Sequence, residues 1–122
     1  MKDNVVVDKS YGFALYVIKT YKEIVGGYKE FVLSKQFLKC GTSIGANVRE
    51  AVGGQTKADF IAKMPIAYKE ALETEYWISL LRDSEYIDQQ AAKILMLECA
   101  ELSKIISSIL ITSKSNNKFF DS

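Results

Sequence analysis

Apolar residues recur at helical spacing in four segments of the chain, and no segment shows the strict alternation typical of a half-buried strand. The first segment spans about residues 8–26 and begins near Asp8 or Ser10, both acceptable helix caps. Gly26 and Gly27 are expected to end it through positive φ. Its apolar stripe comprises Phe13, Ala14, Val17, Ile18, Tyr21, Ile24 and Val25. This spacing predicts an amphipathic helix.

The second segment, residues 33–52, has one apolar face and stops at Gly53 and Gly54. The third, residues 56–84, begins at Thr56, with Asp59 at the third helical position as in a variant capping box. Both segments repeat apolar residues every three or four positions. The stripe of the second is Leu33, Phe37, Cys40, Ile44, Val48 and Ala51; that of the third is Phe60, Met64, Ala67, Ala71, Thr74, Ile78 and Leu81.

Pro65 lies well inside the third helix, where it removes a backbone hydrogen bond and crowds the preceding turn. We expect it to kink the helix near residues 60–61; the alternative is a break into two helices. The fourth segment, residues 88–114, is capped by Asp88 and followed by a polar tail, 115–122, that is expected to fray and that carries Phe119 and Phe120. Its stripe is Leu95, Cys99, Leu102, Ile106 and Ile109.

Short connections between these helices favour antiparallel neighbours. We therefore predict an all-α fold, an up-down antiparallel four-helix bundle that forms one domain over residues 1–122. The apolar coverage of the third and fourth helices is wider than one core needs, and such a surplus usually marks an interface with another copy of the chain. The surplus residues are Ile61, Tyr68, Leu72, Tyr76, Trp77, Leu80, Ile94, Leu97, Ile105 and Leu110.

Composition excludes several classes of function. The 122-residue chain contains no histidine, which removes Ser-His and Cys-His nucleophile pairs and the usual zinc and di-iron sites. Cys40 and Cys99 stand alone, with no secretory signal before them, and are expected to be buried and reduced. No apolar run approaches the roughly 20 residues of a membrane span. We expect a cytoplasmic protein that is not an enzyme and has no cofactor.

The net charge of +1 gives no attraction of the whole molecule to nucleic acid, so any such binding needs a local basic patch. Within residues 19–39, five lysines occur against only two acidic residues, Glu23 and Glu30. The candidate phosphate-binding residues are Lys19, Lys22, Lys29, Lys35, Lys39 and Arg49.

Gly41 and Gly45 are four residues apart, so they share one side of the second helix and predict the close approach of another helix. Polar side chains mark neighbouring faces of the second and third helices: Asn47, Glu50, Glu70 and Glu73. These could form a structural hydrogen-bonded network, a pocket for a base or other ligand, or a carboxylate site for a metal ion. The structural network is the interpretation that we prefer, with no metal.

The order of these residues resembles a family, the bacterial four-helix-bundle proteins named for intervening sequences in 23S ribosomal RNA genes. The family pattern is a Ser-Ile-x-Ala-Asn-Ile/Val-x-Glu core, then Asp-Phe, then Ala-x-x-Glu-x-x-Glu-Thr. The matching positions here are Ser43, Ile44, Ala46, Asn47, Val48, Glu50, Asp59, Phe60, Ala67, Glu70, Glu73 and Thr74.

This resemblance, over about residues 8–112, implies a bundle that assembles into a homopentameric ring. It also implies similarity to the accessory protein of diversity-generating retroelements, which works with a reverse transcriptase and binds nucleic acid. The hypothesis is thus a non-enzymatic oligomeric bundle that binds RNA or a nucleoprotein. The alternatives are a protein-binding scaffold or accessory subunit without nucleic-acid binding, and a carboxylate metal site at Glu50, Glu70 and Glu73.

Overall fold

A computed structural model describes the backbone of residues 2–121 and the side chains of residues 5–113. It has four helices: α1 (Lys2–Tyr28), α2 (Leu33–Gly53), α3 (Lys57–Asp83) and α4 (Gln89–Asp121). No strand occurs in residues 2–121. Each helix packs against its neighbours in the cyclic order α1, α2, α3, α4, and no diagonal pair of described helices is in contact. The predicted up-down four-helix bundle is confirmed.

The predicted apolar stripes of α2, α3 and α4 form the core. All of their residues are buried except Leu33 and Phe60, which are half-buried near the beginnings of α2 and α3. Cys40 and Cys99 are buried and unpaired, as expected. The 3.6-residue period therefore identified the inward face of three helices almost residue by residue.

The stripe of α1 was predicted less well. Phe13, Val17 and Ile24 are buried, whereas the other four predicted residues are half-buried. Ser10 and Thr20 take inward positions instead, together with Val6. Their hydroxyls donate to carbonyl oxygens of the same helix, that of Ser10 to Val7 at 3.1 Å and that of Thr20 to Tyr16 at 2.9 Å. Local bonding of this kind lets a small polar residue enter a core.

The predicted ends of α1 are wrong. The helix begins at Lys2, so Asp8 and Ser10 are internal, and it continues through Gly26 and Gly27 to Tyr28. No glycine has positive φ; the left-handed residue is Lys29, with φ 58°, whose N–H donates to the Val25 carbonyl at 3.1 Å. The two glycines are exposed and face open space, so α1 can include them at a cost of about 1 kcal/mol each.

Glu30 caps α2, a contact that the spacing of apolar residues did not indicate. Its carboxylate accepts backbone N–H groups from Val32 and Leu33 at 2.8 Å and from Ser34 at 2.7 Å. Partial burial acts to raise the pKa of this carboxyl, but the bonds from residues 32–34 outweigh it, and the pKa lies below its usual value. Glu30 thus satisfies several of the N–H groups that a helix start leaves without partners.

The starts of α3 and α4 agree with prediction. Thr56 accepts the N–H of Asp59 at 3.1 Å, and Asp88 accepts that of Ala91 at 2.7 Å. Helix α3 runs without interruption through the exposed Pro65, which excludes the break into two helices. The predicted end of α4 at residue 114 is wrong, because the helix continues to Asp121 through most of the supposed frayed tail. The side chains of Phe119 and Phe120 lie outside the described residues.

Candidate functional site

The two glycines of α2 face α1, as the close approach of a helix requires. A β-carbon at Gly41 would lie 2.8 and 2.9 Å from the γ-methyl carbons of Val17, and one at Gly45 would lie 3.2 Å from the carbonyl oxygen of Ser10. The predicted tight packing is confirmed, and its partner is α1. The glycine stretch is therefore explained by packing within the protomer.

Asn47 and Glu50 follow these glycines along α2. The amide of Asn47 donates to the carbonyl of Ser43 at 2.8 Å, one turn earlier in the same helix. The carboxylate of Glu50 pairs with the ammonium of Lys63 in α3 at 3.1 Å. Both ends of that ion pair are more than one-third exposed, so it contributes little to stability.

Glu70 and Glu73 lie on α3 beside Cys40 and Lys39 of α2. Partial burial raises the pKa of Glu70, the neighbouring carboxylate of Glu73 raises it further, and Lys69 and Lys39 oppose the shift. Burial also raises the pKa of the Cys40 thiol to about 11, with the negative charges of Glu73 and Glu70 acting in the same direction. A carboxylate pair therefore sits at the seam between α2 and α3.

The four polar residues of the family pattern do not form one network within the protomer. Among the described residues, no hydrogen bond joins any of Asn47, Glu50, Glu70 and Glu73 to another. No group of three or more His, Cys, Asp or Glu side chains in that part of the chain is arranged to hold a metal ion. Glu50, Glu70 and Glu73 are therefore not gathered into such a group.

The basic residues fall into separate groups. Because Val17 of α1 faces Gly41 of antiparallel α2, Lys22 is level with Lys35, and both are exposed. Lys19 is also exposed, on the outer side of α1. Lys39 lies near the Glu70 carboxylate instead.

Two further basic residues occupy different places. The Arg49 guanidinium stands 5.8 Å from the ring centroid of Tyr11, across the α1–α2 seam. Lys29 is exposed in the connection between α1 and α2, seven residues along the chain from Lys22. Lys22, Lys29 and Lys35 therefore all lie toward the end of the bundle that carries the α1–α2 connection, and we call these three residues the lysine group.

A groove of about 560 Å³ runs between α3 and α4. Leu72 and Ile111 on its walls are 45% and 66% exposed, and burial raises the pKa of the Glu75 carboxyl between them. The groove is lined by Tyr68, Leu72, Glu75, Ser103, Lys104, Ser107, Ser108, Ile111 and Thr112. Of the predicted apolar surplus, Ile61, Leu72, Tyr76 and Leu97 are exposed and the others are half-buried.

The α1–α2 connection displays aromatic and aliphatic side chains that the sequence analysis did not single out. Tyr28 is 58% exposed, Phe31 55% and Val32 71%. The ring of Tyr28 meets that of Tyr86 edge to face, with centroids 5.4 Å apart, which places the α3–α4 connection at the same end of the bundle. Two aromatic residues close to Lys29, one at the end of α1 and one in the four-residue connection, were the available signal. We call Tyr28 and Phe31 the aromatic pair.

None of the helices, over the residues described, combines the length and apolar character that a membrane crossing requires. Comparison with known proteins gives a matching family and matching solved structures. A family model described as "23S rRNA-intervening sequence protein" matches residues 2–108. A crystal structure from Bacteroides thetaiotaomicron, of a protein with unknown function from the S23 ribosomal protein family, is 52% identical with a TM-score of 0.87, covering 90% of this chain and 98% of that one. Curated protein sequences give no match.

Proposed function

This chain belongs to the family of 23S rRNA-intervening sequence proteins, and from that premise we propose that it is a non-enzymatic, homo-oligomeric helical bundle that binds RNA or a nucleoprotein. The similar protein of known structure is itself described as one of unknown function. The proposal therefore depends on the surfaces of this chain. The observation that carries it is the exposed lysine group beside unpartnered apolar surface.

The apolar surface supports self-association. The α3–α4 groove exposes Leu72 and Ile111, and Tyr76 and Leu97 are 59% and 62% exposed on the same two helices. Packing these side chains against another copy would remove their apolar area from water, at roughly 25 cal/mol for each Å² buried. We propose a closed ring of five copies, since head-to-tail contacts generate a ring when the rotation closes.

A ring would also multiply a weak charge pattern. A single chain has a net charge of only +1, so few ions are released when one protomer meets a polyanion. Five copies of Lys22, Lys29 and Lys35 on one assembly would bind a flexible strand at several points, and linked sites of this kind raise affinity by orders of magnitude. Lys19, Lys39 and Arg49 complete the proposed set of phosphate-binding residues.

The absence of catalysis is part of the proposal. The chain has no histidine, and burial raises the pKa of both thiols, that of Cys40 to about 11. A thiol with so high a pKa is protonated near neutral pH and is a poor nucleophile. We therefore propose no catalytic residue and no cofactor, and we place the protein in the cytoplasm, where buried thiols stay reduced.

A protein-binding scaffold is the second candidate. It is favoured by the exposed Phe31 and Val32, since apolar side chains at a bundle end can also be buried by another polypeptide. The two candidates differ in their dependence on charge and salt. RNA binding weakens steeply as salt rises, whereas a contact dominated by apolar burial does not.

Charge reversal at Lys35 and Lys39 tests the choice between them. Fluorescence anisotropy of a dye-labelled RNA, followed over a range of salt concentrations, should show lower affinity and a shallower salt dependence for the Lys35→Glu, Lys39→Glu double variant. Lys93→Glu on α4 is the matched control and should bind nearly as the wild type does. Equal binding by the double variant would contradict the proposed phosphate contacts, and absence of binding by the wild type would favour the scaffold.

A further inference from the structure

We propose that the RNA is single-stranded and that its bases stack on the aromatic pair, Tyr28 and Phe31, while the lysine group holds the adjoining phosphates. This rests on the proposed function, because it names the class of RNA that the same surface binds. Unpaired bases offer exposed faces that stack on aromatic rings, and basic side chains nearby hold the backbone.

The geometry of the aromatic pair suits stacking. Tyr28 ends α1, and Phe31 lies in the connection three residues later. Both rings are more than half exposed, yet Tyr28 is also held from one side by the edge-to-face contact with Tyr86, at an interplanar angle of 86°. A ring that is already positioned loses less conformational entropy when a base stacks on its free face.

The local charge favours a polyanion over a basic or neutral partner. Lys29, which lies between Tyr28 and Phe31 in the sequence, is exposed. Lys22 of α1 and Lys35 of α2 are also exposed, at about the same level along the two adjacent helices. The carboxylate of Glu30, in the same connection, is turned toward the first N–H groups of α2 and its charge is offset there. Glu23 is exposed, and it adds to a rise in the pKa of Tyr16 that comes first from burial and then from Glu98.

Other acidic groups at this end of the bundle are also engaged. Asp83 accepts the Arg82 guanidinium at 2.8 Å, and Asp88 caps α4. Glu85 is exposed and has no such bond among those described. The lysine group is therefore opposed at this end chiefly by two carboxylates, those of Glu23 and Glu85, although the whole chain is nearly neutral.

A duplex fits this surface less well. Stacked and paired bases cannot be reached by two short side chains, and a duplex is held mainly through many phosphate contacts along its length. The surface therefore predicts a preference for a loop or an unpaired segment.

Anisotropy titrations of the full chain test the proposal. The probes are a dye-labelled oligouridylate of about 20 nucleotides and an RNA duplex of the same length. A strand of this length covers the usual site sizes of proteins that bind single strands. The single strand should bind more tightly than the duplex. Phe31→Ala and Tyr28→Ala should each weaken it about fivefold or more, as loss of one stacked base does, whereas Tyr28→Phe should bind like the wild type.

Leu15→Ala is the matched control, because Leu15 is 52% exposed on α1 but away from the connection. Thermal unfolding by circular dichroism would confirm that each variant is folded. Equal binding of strand and duplex, or unchanged binding by both alanine variants, would overturn the stacking inference and leave RNA binding intact. Failure of the wild type to bind either probe would overturn the proposed function as well.

Discussion

Gly41 of α2 faces Val17 of α1 so closely that a β-carbon at position 41 would lie 2.8 Å from one γ-methyl carbon and 2.9 Å from the other. Val17 is fully buried and β-branched, so its methyl groups cannot swing aside easily. This contact sets how closely the two helices approach. The glycine is required by packing inside the protomer.

Gly41→Ala should therefore destabilise the fold. Overpacking of a core costs about 1–3 kcal/mol, and the better helix propensity of alanine recovers about 1 kcal/mol, so we expect a net loss of up to about 2 kcal/mol in the free energy of unfolding. Denaturant unfolding measures it. Gly12→Ala is the control, because a β-carbon there meets nothing within 4 Å, and it should stabilise the protein. A Gly41→Ala variant as stable as Gly12→Ala would contradict the tight contact.

Glu30→Ala should weaken the start of α2. Three backbone N–H groups lose their acceptor, and loss of a helix cap costs about 1 kcal/mol. The effect should depend on pH, because the pKa of Glu30 is lowered in the folded state. Its stabilising contribution is complete above the pKa of the unfolded chain, about 4.3, and is lost as pH falls through the lower folded value.

Unfolding of wild type and Glu30→Ala at several pH values measures this dependence. Their difference should be largest near neutral pH and shrink in acid. Glu23→Ala removes an exposed carboxylate of α1 that caps no helix, and it should change stability by less than about 0.5 kcal/mol. A difference between wild type and Glu30→Ala that stays constant down to strongly acidic pH would argue that the charge of the cap is unimportant.

Lys29 and Glu85 are matched in backbone conformation and opposite in charge. Both are non-glycine residues with positive φ, at 58° and 66°. Glycine adopts this conformation without the clash of a β-carbon, so Lys29→Gly and Glu85→Gly should each raise the free energy of unfolding by about 0.5–1 kcal/mol. Only Lys29→Gly should also weaken RNA binding. It should reduce the slope of the logarithm of affinity against the logarithm of salt concentration by about 1, because one phosphate contact is lost.

This pair separates stability from binding. A Lys29→Gly variant that is more stable yet binds RNA less tightly cannot be explained by unfolding. Unchanged anisotropy titrations for Lys29→Gly would remove Lys29 from the lysine group. Weaker RNA binding by Glu85→Gly would be the opposite of the electrostatic expectation, since that variant loses a negative charge.

Leu72→Arg tests the α3–α4 groove as a contact between copies. Leu72 is 45% exposed, so the variant should fold with a stability within about 0.5 kcal/mol of wild type. A charge at a packed interface should weaken assembly by about tenfold or more, and dilution series in analytical ultracentrifugation would measure this. Gln90→Arg adds the same charge near the start of α4 and should assemble normally. Unchanged assembly by Leu72→Arg would show that the interface between copies does not include Leu72.

The fold could be read largely from periodicity. The stripe from Met64 to Leu81 was predicted residue by residue because a buried face repeats every 3.6 residues. Ser10 and Thr20 were missed because their hydroxyls bond one turn back within α1, which makes a small polar residue acceptable in the core. The end of α1 was misplaced because a lysine, not a glycine, adopts the left-handed conformation.

The site was less accessible to the same reasoning. Asn47 and Glu70 share a sequence pattern, but each takes its interactions from its own surroundings, the Ser43 carbonyl for one and the Glu73, Lys69 and Lys39 charges for the other. Sequence spacing gives the face of a helix and not the height at which two helices meet. The level arrangement of Lys22 and Lys35 emerged only from the contact of Val17 with Gly41.

Size-exclusion chromatography with light scattering, on the untagged chain at low salt with absorbance at two wavelengths, tests the proposed RNA-binding ring most directly. We expect about five times the 13.7 kDa mass of one chain, with excess absorbance from nucleic acid that high salt removes. A particle with the mass of one chain, free of nucleic acid at low salt, would contradict both the ring and its electrostatic hold on RNA.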